Sequence, residues 1–142
     1  NGTQGIFYGR GDVLFVSIHA DPTAFYPFFA GYAAELGEGA GEDANLNLPV
    51  ALGTGNDAYI AAINDGCAKS GAFQPEALRV SLGFDAYAGD PLSPLTVTSG
   101  GFEAAGKAIA GLGAPTVLIQ EGGYDCSTLG RNLMAFLEGF LA

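Results

Sequence analysis

The sequence predicts an α/β fold in which a parallel sheet of about four strands is flanked by helices, giving three layers. Short apolar runs alternate with longer segments whose apolar residues recur every three or four positions. Continuous apolar runs are typical of strands buried on both faces, and their alternation with helices is typical of parallel sheets. The 142 residues fit one domain, and the 23 glycines between apolar runs predict many tight turns.

Each strand is predicted from a run that ends at a polar or turn residue. Residues 13–18 and 116–120 are continuous apolar runs, residues 45–49 alternate polar and apolar positions, and residues 78–82 end at a glycine. Helical spacing predicts one turn at 6–8 and helices at about 57–70 and 128–141, with another from a cap at Thr98 or Ser99 to about 112. Residues 20–41 show no period, and a loop of that length is usually functional.

Composition excludes several classes of partner. Fifteen acidic and five basic residues give a net charge of −10, whereas nucleic-acid binding needs a basic surface, so we expect no nucleic-acid partner. No apolar run reaches the roughly 18 residues of a membrane span and no signal peptide is recognisable, which predicts a cytoplasmic protein with no membrane partner. Cys67 and Cys126 make no disulfide framework and are expected to be free thiols.

Polar residues follow three of the predicted strands. Ser17 and His19 lie at the end of the first, Asp85 follows the third, and Tyr124 follows the fourth after two glycines. Ligands bind beyond the carboxyl ends of parallel strands, so we expect these groups at one edge of the sheet. From the residues alone, two interpretations of Asp85 stay open. In the first, Asp85 is a metal ligand or a general base. In the second, Asp85 and Asp90 each cap a turn.

Other candidates also have structural interpretations. Tyr124 after two glycines could cap a turn, Tyr26 among other aromatics is expected to pack in the core, and His19 is expected to be a hydrogen-bonded core residue. Four acidic residues form a cluster whose spacing fits no EF-hand loop, which predicts a solvated acidic loop. These residues are Glu35, Glu38, Glu42 and Asp43.

The order of motifs resembles the C-terminal half of the histone deacetylase and acetylpolyamine amidohydrolase superfamily. The resemblance rests on NGTQ at 1–4, SIH at 17–19, FYP at 25–27, GEGAG at 37–41, NLNLP at 45–49, SLGFD at 81–85, GDPL at 89–92 and EGGY at 121–124. HADP at 19–22 and FFAGY at 28–32 look more like the bacterial polyamine-type members. The resemblance covers nearly the whole chain and implies a partial arginase/deacetylase-like fold.

The same resemblance implies a zinc-dependent deacetylase that acts on acetyl-lysine or acetylpolyamines. Asp85 matches a zinc ligand, and Tyr124 matches the tyrosine whose hydroxyl stabilises the oxyanion. Zinc would act as a Lewis acid and activate water. The positions that match substrate-tunnel residues are Tyr26, Leu92, Gly122 and Gly123.

Potassium is a second ion that the resemblance implies. Ser17 and Ile18 match positions that contribute oxygens to an inner potassium site. The positions that match carbonyl donors of an outer site are Phe7, Arg10, Val13 and Ala44.

The remaining zinc ligands and the His-His base pair of the family are expected upstream of Asn1. A catalytic zinc normally keeps three protein ligands, so we expect this chain alone not to deacetylate a substrate. A full member of this fold has a larger sheet, so a strand that is internal there would be an edge strand in this chain. We therefore expect self-association or a separate N-terminal partner.

Two functions stay open: a fragment of a zinc amidohydrolase, or a non-catalytic truncated module in assembly or ligand binding. A Rossmann-like nucleotide binder is disfavoured because no strand is followed by GxGxxG.

Overall fold

A computed structural model describes residues 2–142 of the chain. These residues form two compact units, Asn1–Leu52 and Gly53–Ala142. The sequence predicted one partial domain and gave no sign of this division. No helix among residues 2–142 is long and apolar enough to cross a membrane.

The first unit contains two parallel strands. Helix α1 (Gly2–Phe7) precedes β1 (Phe15–Ala20), and a short 3-10 helix (Gly39–Gly41) precedes β2 (Asn45–Val50). In the register of the pair, Ser17 lies opposite Asn47. Strand β1 begins and ends two residues later than predicted, so Ser17 and His19 lie within the strand. The predicted single turn at 6–8 is part of the longer helix α1.

The second unit alternates helices and strands. Its elements are α2 (Asn56–Phe73), β3 (Leu78–Leu82), α3 (Ser99–Ala110), β4 (Thr116–Gln120) and α4 (Leu129–Phe140). Strands β3 and β4 pair in parallel, with Leu78 opposite Thr116 and Leu82 opposite Gln120. Both strands have the predicted bounds, and helix α2 runs three residues further than predicted.

The α/β class and the four parallel strands of the prediction are confirmed. The strands form two sheets of two strands each, however, instead of one four-stranded sheet. Strands β1 and β2 pair within the first unit, and β3 and β4 pair within the second.

An aromatic cluster forms the core of the second unit. Phe84, Phe102 and Phe136 are almost completely buried, and the rings of Phe84 and Phe102 meet edge to face with their centroids 5.0 Å apart. Apolar residues recur at helical spacing in α3 and α4, and this pattern favours the burial of Phe102 and Phe136. Leu141 continues the same spacing, but it is 78% exposed because helix α4 ends one residue before it.

Helices α3 and α4 cross at two glycines. A Cβ atom added at Gly106 would lie 2.2 Å from the carbonyl oxygen of Phe136, and one added at Gly139 would lie 1.9 Å from that of Glu103. Backbone atoms cannot move aside as a flexible side chain could. The crossing therefore requires glycine at both positions.

Replacement of Gly139 by alanine is expected to lower the free energy of unfolding by about 1–3 kcal/mol, because overpacking forces the helices apart. Gly130→Ala is the matched control in the same helix, since a Cβ there meets no atom within 4 Å. The control should be neutral or stabilising because alanine favours helix more than glycine does. Urea unfolding followed by circular dichroism measures both, and equal effects would contradict the close crossing.

Candidate functional site

The loops that follow β3 and β4 leave the sheet side by side. The backbone N–H of Glu121 donates to the carbonyl of Leu82 at 3.0 Å, and the N–H of Phe84 donates to the carbonyl of Gly122 at 2.8 Å. The pairing of the strands thus continues past their ends. It brings the loop that carries Asp85 next to the loop that carries Tyr124, as the parallel topology predicted for these two residues.

The Asp85 carboxylate packs against the backbone of two glycines. A Cβ added at Gly122 would lie 2.5 Å from Asp85 Oδ2, and one added at Gly83 would lie 2.9 Å from Oδ1. Glycine at these positions lets the carboxylate approach the paired loops closely. Gly122 was predicted as a tunnel residue, and its contact with Asp85 is a structural requirement that the sequence did not reveal.

The charged form of Asp85 is disfavoured in the folded protein. Desolvation raises the pKa of Asp85, with a smaller contribution from the negative charge of Asp90, while the backbone N–H of Asp85 acts in the opposite direction. The residue as a whole is exposed, so the desolvation is that of the carboxylate beside the glycine backbone. The ion pairs among residues 2–142 join Arg10 to Asp12 and Arg79 to Glu121, and Asp85 is in neither.

Tyr59 of helix α2 is a further titratable group in this unit. Burial raises the pKa of Tyr59 to about 12, and the negative charge of Asp85 adds to the effect. Its ring meets Phe102 edge to face at 6.4 Å. In the structure the Tyr59 hydroxyl is neutral, and the negative charge of Asp85 contributes to its raised pKa.

Tyr124 and Asp90 are joined by a short hydrogen bond. The backbone N–H of Tyr124 donates to Asp90 Oδ2 at 2.6 Å, whereas the Tyr124 side chain is 54% exposed. Asp90 Oδ1 accepts the N–H of Leu92 at 2.9 Å, which confirms the predicted turn cap. The long-range bond to Tyr124 was not predicted. Leu92 itself is exposed, and its role and that of Gly123 as tunnel residues stay predictions.

Zinc, which the family resemblance implies, needs more ligands than Asp85 offers. A zinc site normally has at least three protein ligands. Among residues 2–142, no group of three or more His, Cys, Asp or Glu side chains could hold a metal ion. Asp85 by itself does not fit a complete zinc site. Both cysteines are free thiols, with Cys67 half-buried and Cys126 exposed.

In the first unit, Glu35 is the centre of a polar network. Its Oε2 atom accepts hydrogen bonds from Gln4 Nε2 at 2.8 Å and from the backbone N–H groups of Gly31 at 2.7 Å and Tyr32 at 3.1 Å. It also accepts one from Asn47 Nδ2 at 3.2 Å. The prediction of a solvated acidic loop is therefore wrong for Glu35, because four N–H donors surround its carboxylate. The other acidic residues of the cluster, Glu38, Glu42 and Asp43, are exposed as predicted.

His19 is hydrogen-bonded through both ring nitrogens, as predicted. Nε2 lies 2.8 Å from the carbonyl oxygen of Gly31, and Nδ1 lies 2.8 Å from Ser17 Oγ. Because a carbonyl oxygen can only accept, Nε2 carries a proton and donates to Gly31, while Nδ1 shares a hydrogen bond with the Ser17 hydroxyl. Gly31 has φ of +99°, and a Cβ there would lie 2.6 Å from His19 Nε2, so this loop position requires glycine.

An open concavity of the first unit, about 160 Å³ in volume, has a mixed lining. The Tyr26 side chain at its edge is 68% exposed, so the prediction that Tyr26 packs in the core is wrong. Asn47 is only 2% exposed, and its Oδ1 and that of Asn45 have no hydrogen-bond partner among residues 2–142. The lining residues are Gln4, Phe15, Ser17, His19, Tyr26, Pro27, Ala30, Gly31 and Asn47.

All six predicted potassium-site positions lie in the first unit. The carbonyl of Phe7 accepts the N–H of Arg10 at 2.9 Å, and the carbonyl of Ala44 accepts the N–H of Phe15 at 2.9 Å. A carbonyl oxygen has a second lone pair, so these bonds are compatible with a cation. Potassium binding through Phe7, Arg10, Val13, Ala44, Ser17 and Ile18 stays a prediction.

Asp85→Asn is expected to raise the free energy of unfolding at neutral pH. Because desolvation raises the pKa of Asp85 in the folded state, the folded protein binds this proton more tightly than the unfolded chain does. The charged carboxylate therefore lowers stability above its folded pKa, and this loss disappears below the ordinary aspartate pKa of about 4. The free energies of unfolding of variant and wild type should therefore converge as the pH falls from above the folded-state pKa of Asp85 to below about 4.

Urea titrations across that pH range provide the measurement. Asp65→Asn, an exposed aspartate of helix α2, is the control for removal of one negative charge from the acidic chain. A variant at Asp85 that is no more stable than the Asp65 control at neutral pH would contradict the desolvation of the carboxylate.

Comparison with known proteins gives a consistent result. The sequence matches the histone deacetylase domain over residues 1–140. Acetylpolyamine amidohydrolase 1 of Pseudomonas aeruginosa is 49% identical over 140 residues, which cover 99% of this chain and 40% of that protein. The acetylpolyamine amidohydrolase of Mycoplana ramosa is 42% identical over 98% of this chain and 41% of its own length.

A solved structure matches as well. The crystal structure of acetylpolyamine aminohydrolase from Burkholderia pseudomallei has a TM-score of 0.96 and 47% identity, covering 99% of this chain and 41% of that one. The chain thus spans about two fifths of the length of the relatives it matches.

Proposed function

Because this chain belongs to the histone deacetylase domain family, we propose that it supplies part of the site of an amidohydrolase that removes acetyl groups from acetylpolyamines or acetyl-lysine. Asp85 would be one ligand of a zinc ion whose other ligands lie outside the chain. Tyr124 would donate its hydroxyl to the oxygen of the acetyl carbonyl as negative charge develops there. The observation that carries the proposal is the pairing of Phe84 with Gly122, which sets the two loops side by side.

Acetylated polyamines are the substrate class that the charge of the chain favours. The net charge of −10 attracts cationic amines through the field of the whole protein. Relatives at 42–49% identity are named acetylpolyamine amidohydrolases. The exposed Tyr124 ring leaves its hydroxyl free to reach a substrate. A tunnel-wall role for Tyr26 would add contact with an aliphatic stem.

A chimera with the Pseudomonas aeruginosa relative tests the proposal. The aligned two fifths of that protein is replaced by these 142 residues. We expect the chimera to hydrolyse an N-acetylated diamine and to lose about 10²–10³-fold in kcat on Tyr124→Phe, because a donor to the developing oxyanion is removed. Asp85→Asn in the chimera should lower both zinc content and turnover.

Tyr8→Phe is the matched control, since Tyr8 lies outside both strand-end loops. The 142-residue chain alone, supplied with zinc, should give no turnover because one carboxylate offers too few ligands and no base is positioned. Turnover by the isolated chain that Tyr124→Phe abolishes would contradict the need for residues outside it. A chimera that folds, binds zinc and has no activity would contradict the proposed function.

A non-catalytic module is the second candidate function. It is favoured by the lack of a metal-binding cluster among residues 2–142 and by His19, whose two ring nitrogens are both engaged in hydrogen bonds. Such a module would act in assembly or ligand binding. The folded but inactive chimera is the outcome that would support it.

We expect the isolated chain to self-associate unless a partner carrying the rest of the domain is present. In the part of the chain that the structure describes, each sheet has two strands, so every strand there is an edge strand. Phe29 and Ile6 of the first unit are largely exposed. Sedimentation velocity over a wide concentration range measures association, and Phe29→Ser should weaken it whereas Thr23→Ser should not. A monomer at all concentrations would contradict this expectation.

A further inference from the structure

Asp90 connects the loop after β3 with the loop after β4. We propose that Asp90 is a positioning residue that fixes the backbone of Tyr124 and so the direction in which the Tyr124 hydroxyl is presented. This inference rests on the role of Tyr124 in the proposed function and assigns to Asp90 a task beyond the capping of its own turn.

The carboxylate of Asp90 makes both local and long-range hydrogen bonds. Oδ1 accepts the N–H of Leu92 at 2.9 Å, two residues away. Oδ2 accepts the N–H groups of Tyr124 at 2.6 Å and Asp125 at 3.1 Å, which lie 34 and 35 residues away. A turn cap accounts only for the first bond. The other two hold the loop after β4 directly.

Asp90 is buried and surrounded by N–H donors. It is only 7% exposed, and neither ion pair among residues 2–142 includes it. Three N–H groups therefore compensate the carboxylate, and hydrogen bonds to a charged acceptor are shorter and stronger than neutral ones. An asparagine there would keep one acceptor oxygen, and its NH₂ group would face an N–H donor. The variant must lose at least one of the bonds.

Tyr124 needs this anchor because little else fixes it. Its side chain is 54% exposed, so packing does not set its position. The two residues before it are glycines, which have more backbone freedom than any other residue. Gly123 has φ of +133°, and a Cβ there would lie 2.8 Å from Leu129 Cδ1. The hydrogen bond from Tyr124 N–H to Asp90 is the next backbone anchor after the bond from Phe84 N–H to the Gly122 carbonyl.

Amide hydrogen exchange in the 142-residue chain is the first test. We expect Asp90→Ala, which removes both acceptor oxygens, to abolish the protection of the Tyr124 amide, and Asp90→Asn, which keeps one, to reduce it, while amides within β3 and β4 stay protected. Asp65→Asn, an exposed aspartate of helix α2, is the control and should leave the Tyr124 amide protected. Unchanged exchange at Tyr124 in the alanine variant would overturn the proposal.

Asp90→Glu keeps the carboxylate and both of its acceptor oxygens. It is the variant to measure if the asparagine variant does not fold. Partial protection of the Tyr124 amide in the glutamate variant would support the proposal, and full loss of protection would overturn it. Unfolding of both variants would also overturn it, in favour of a role for Asp90 in folding alone.

A double-mutant cycle in the chimera is the second test. Asp90→Asn is expected to lower kcat about 10²-fold with KM unchanged, because a small misplacement of a reacting group has that effect. In the Tyr124→Phe background it should cause no further loss, since its effect acts through the hydroxyl. Additive losses would overturn the proposal. If the parent chimera is inactive, the proposed function fails, and hydrogen exchange alone then decides the positioning role.

Discussion

The second unit depends on a backbone pairing that continues beyond the strands themselves. The bond from Phe84 N–H to the Gly122 carbonyl, at 2.8 Å, extends the β3–β4 ladder into the two loops. It places Phe84 in the aromatic core and leaves the next residue, Asp85, directed at the Gly122 backbone. A side chain at residue 122 would collide with that carboxylate. Backbone geometry therefore fixes where the carboxylate lies, and one glycine makes the geometry possible.

The structure distinguishes two aspartates that the sequence could not. Asp90 has three N–H donors on its oxygens and is fully engaged. Asp85 has a raised pKa because desolvation outweighs the single favourable contribution from its own backbone N–H. An aspartate saturated by donors holds structure, whereas one with a disfavoured charge has the capacity to bind a cation. The contrast supports a structural role for Asp90 and a ligand role for Asp85.

The local sequence pattern predicted those features of the structure that local interactions determine. The bounds of β3 and β4 follow from runs that end at Gly83 and Glu121, and these were predicted to the residue. The shift of β1 reflects its partner strand, because the pairing with β2 runs from Phe15 opposite Asn45 to Ala20 opposite Val50. Four N–H groups converge on Glu35, from residues as distant in sequence as Gln4, and no periodicity in one sequence indicates such a convergence. The long-range half of the Asp90 interaction was missed for the same reason.

The two units differ in how far N–H donors compensate a key carboxylate. Glu35 in the first unit receives four N–H donors and needs no cation. Asp85 in the second unit lies beside glycine backbone, and desolvation raises the pKa of its carboxyl, so that the charged form is disfavoured. A bound cation would remove that cost, because an opposite charge favours the ionised carboxylate. The proposed role as a metal ligand thus accounts for an arrangement that is unfavourable to the chain on its own.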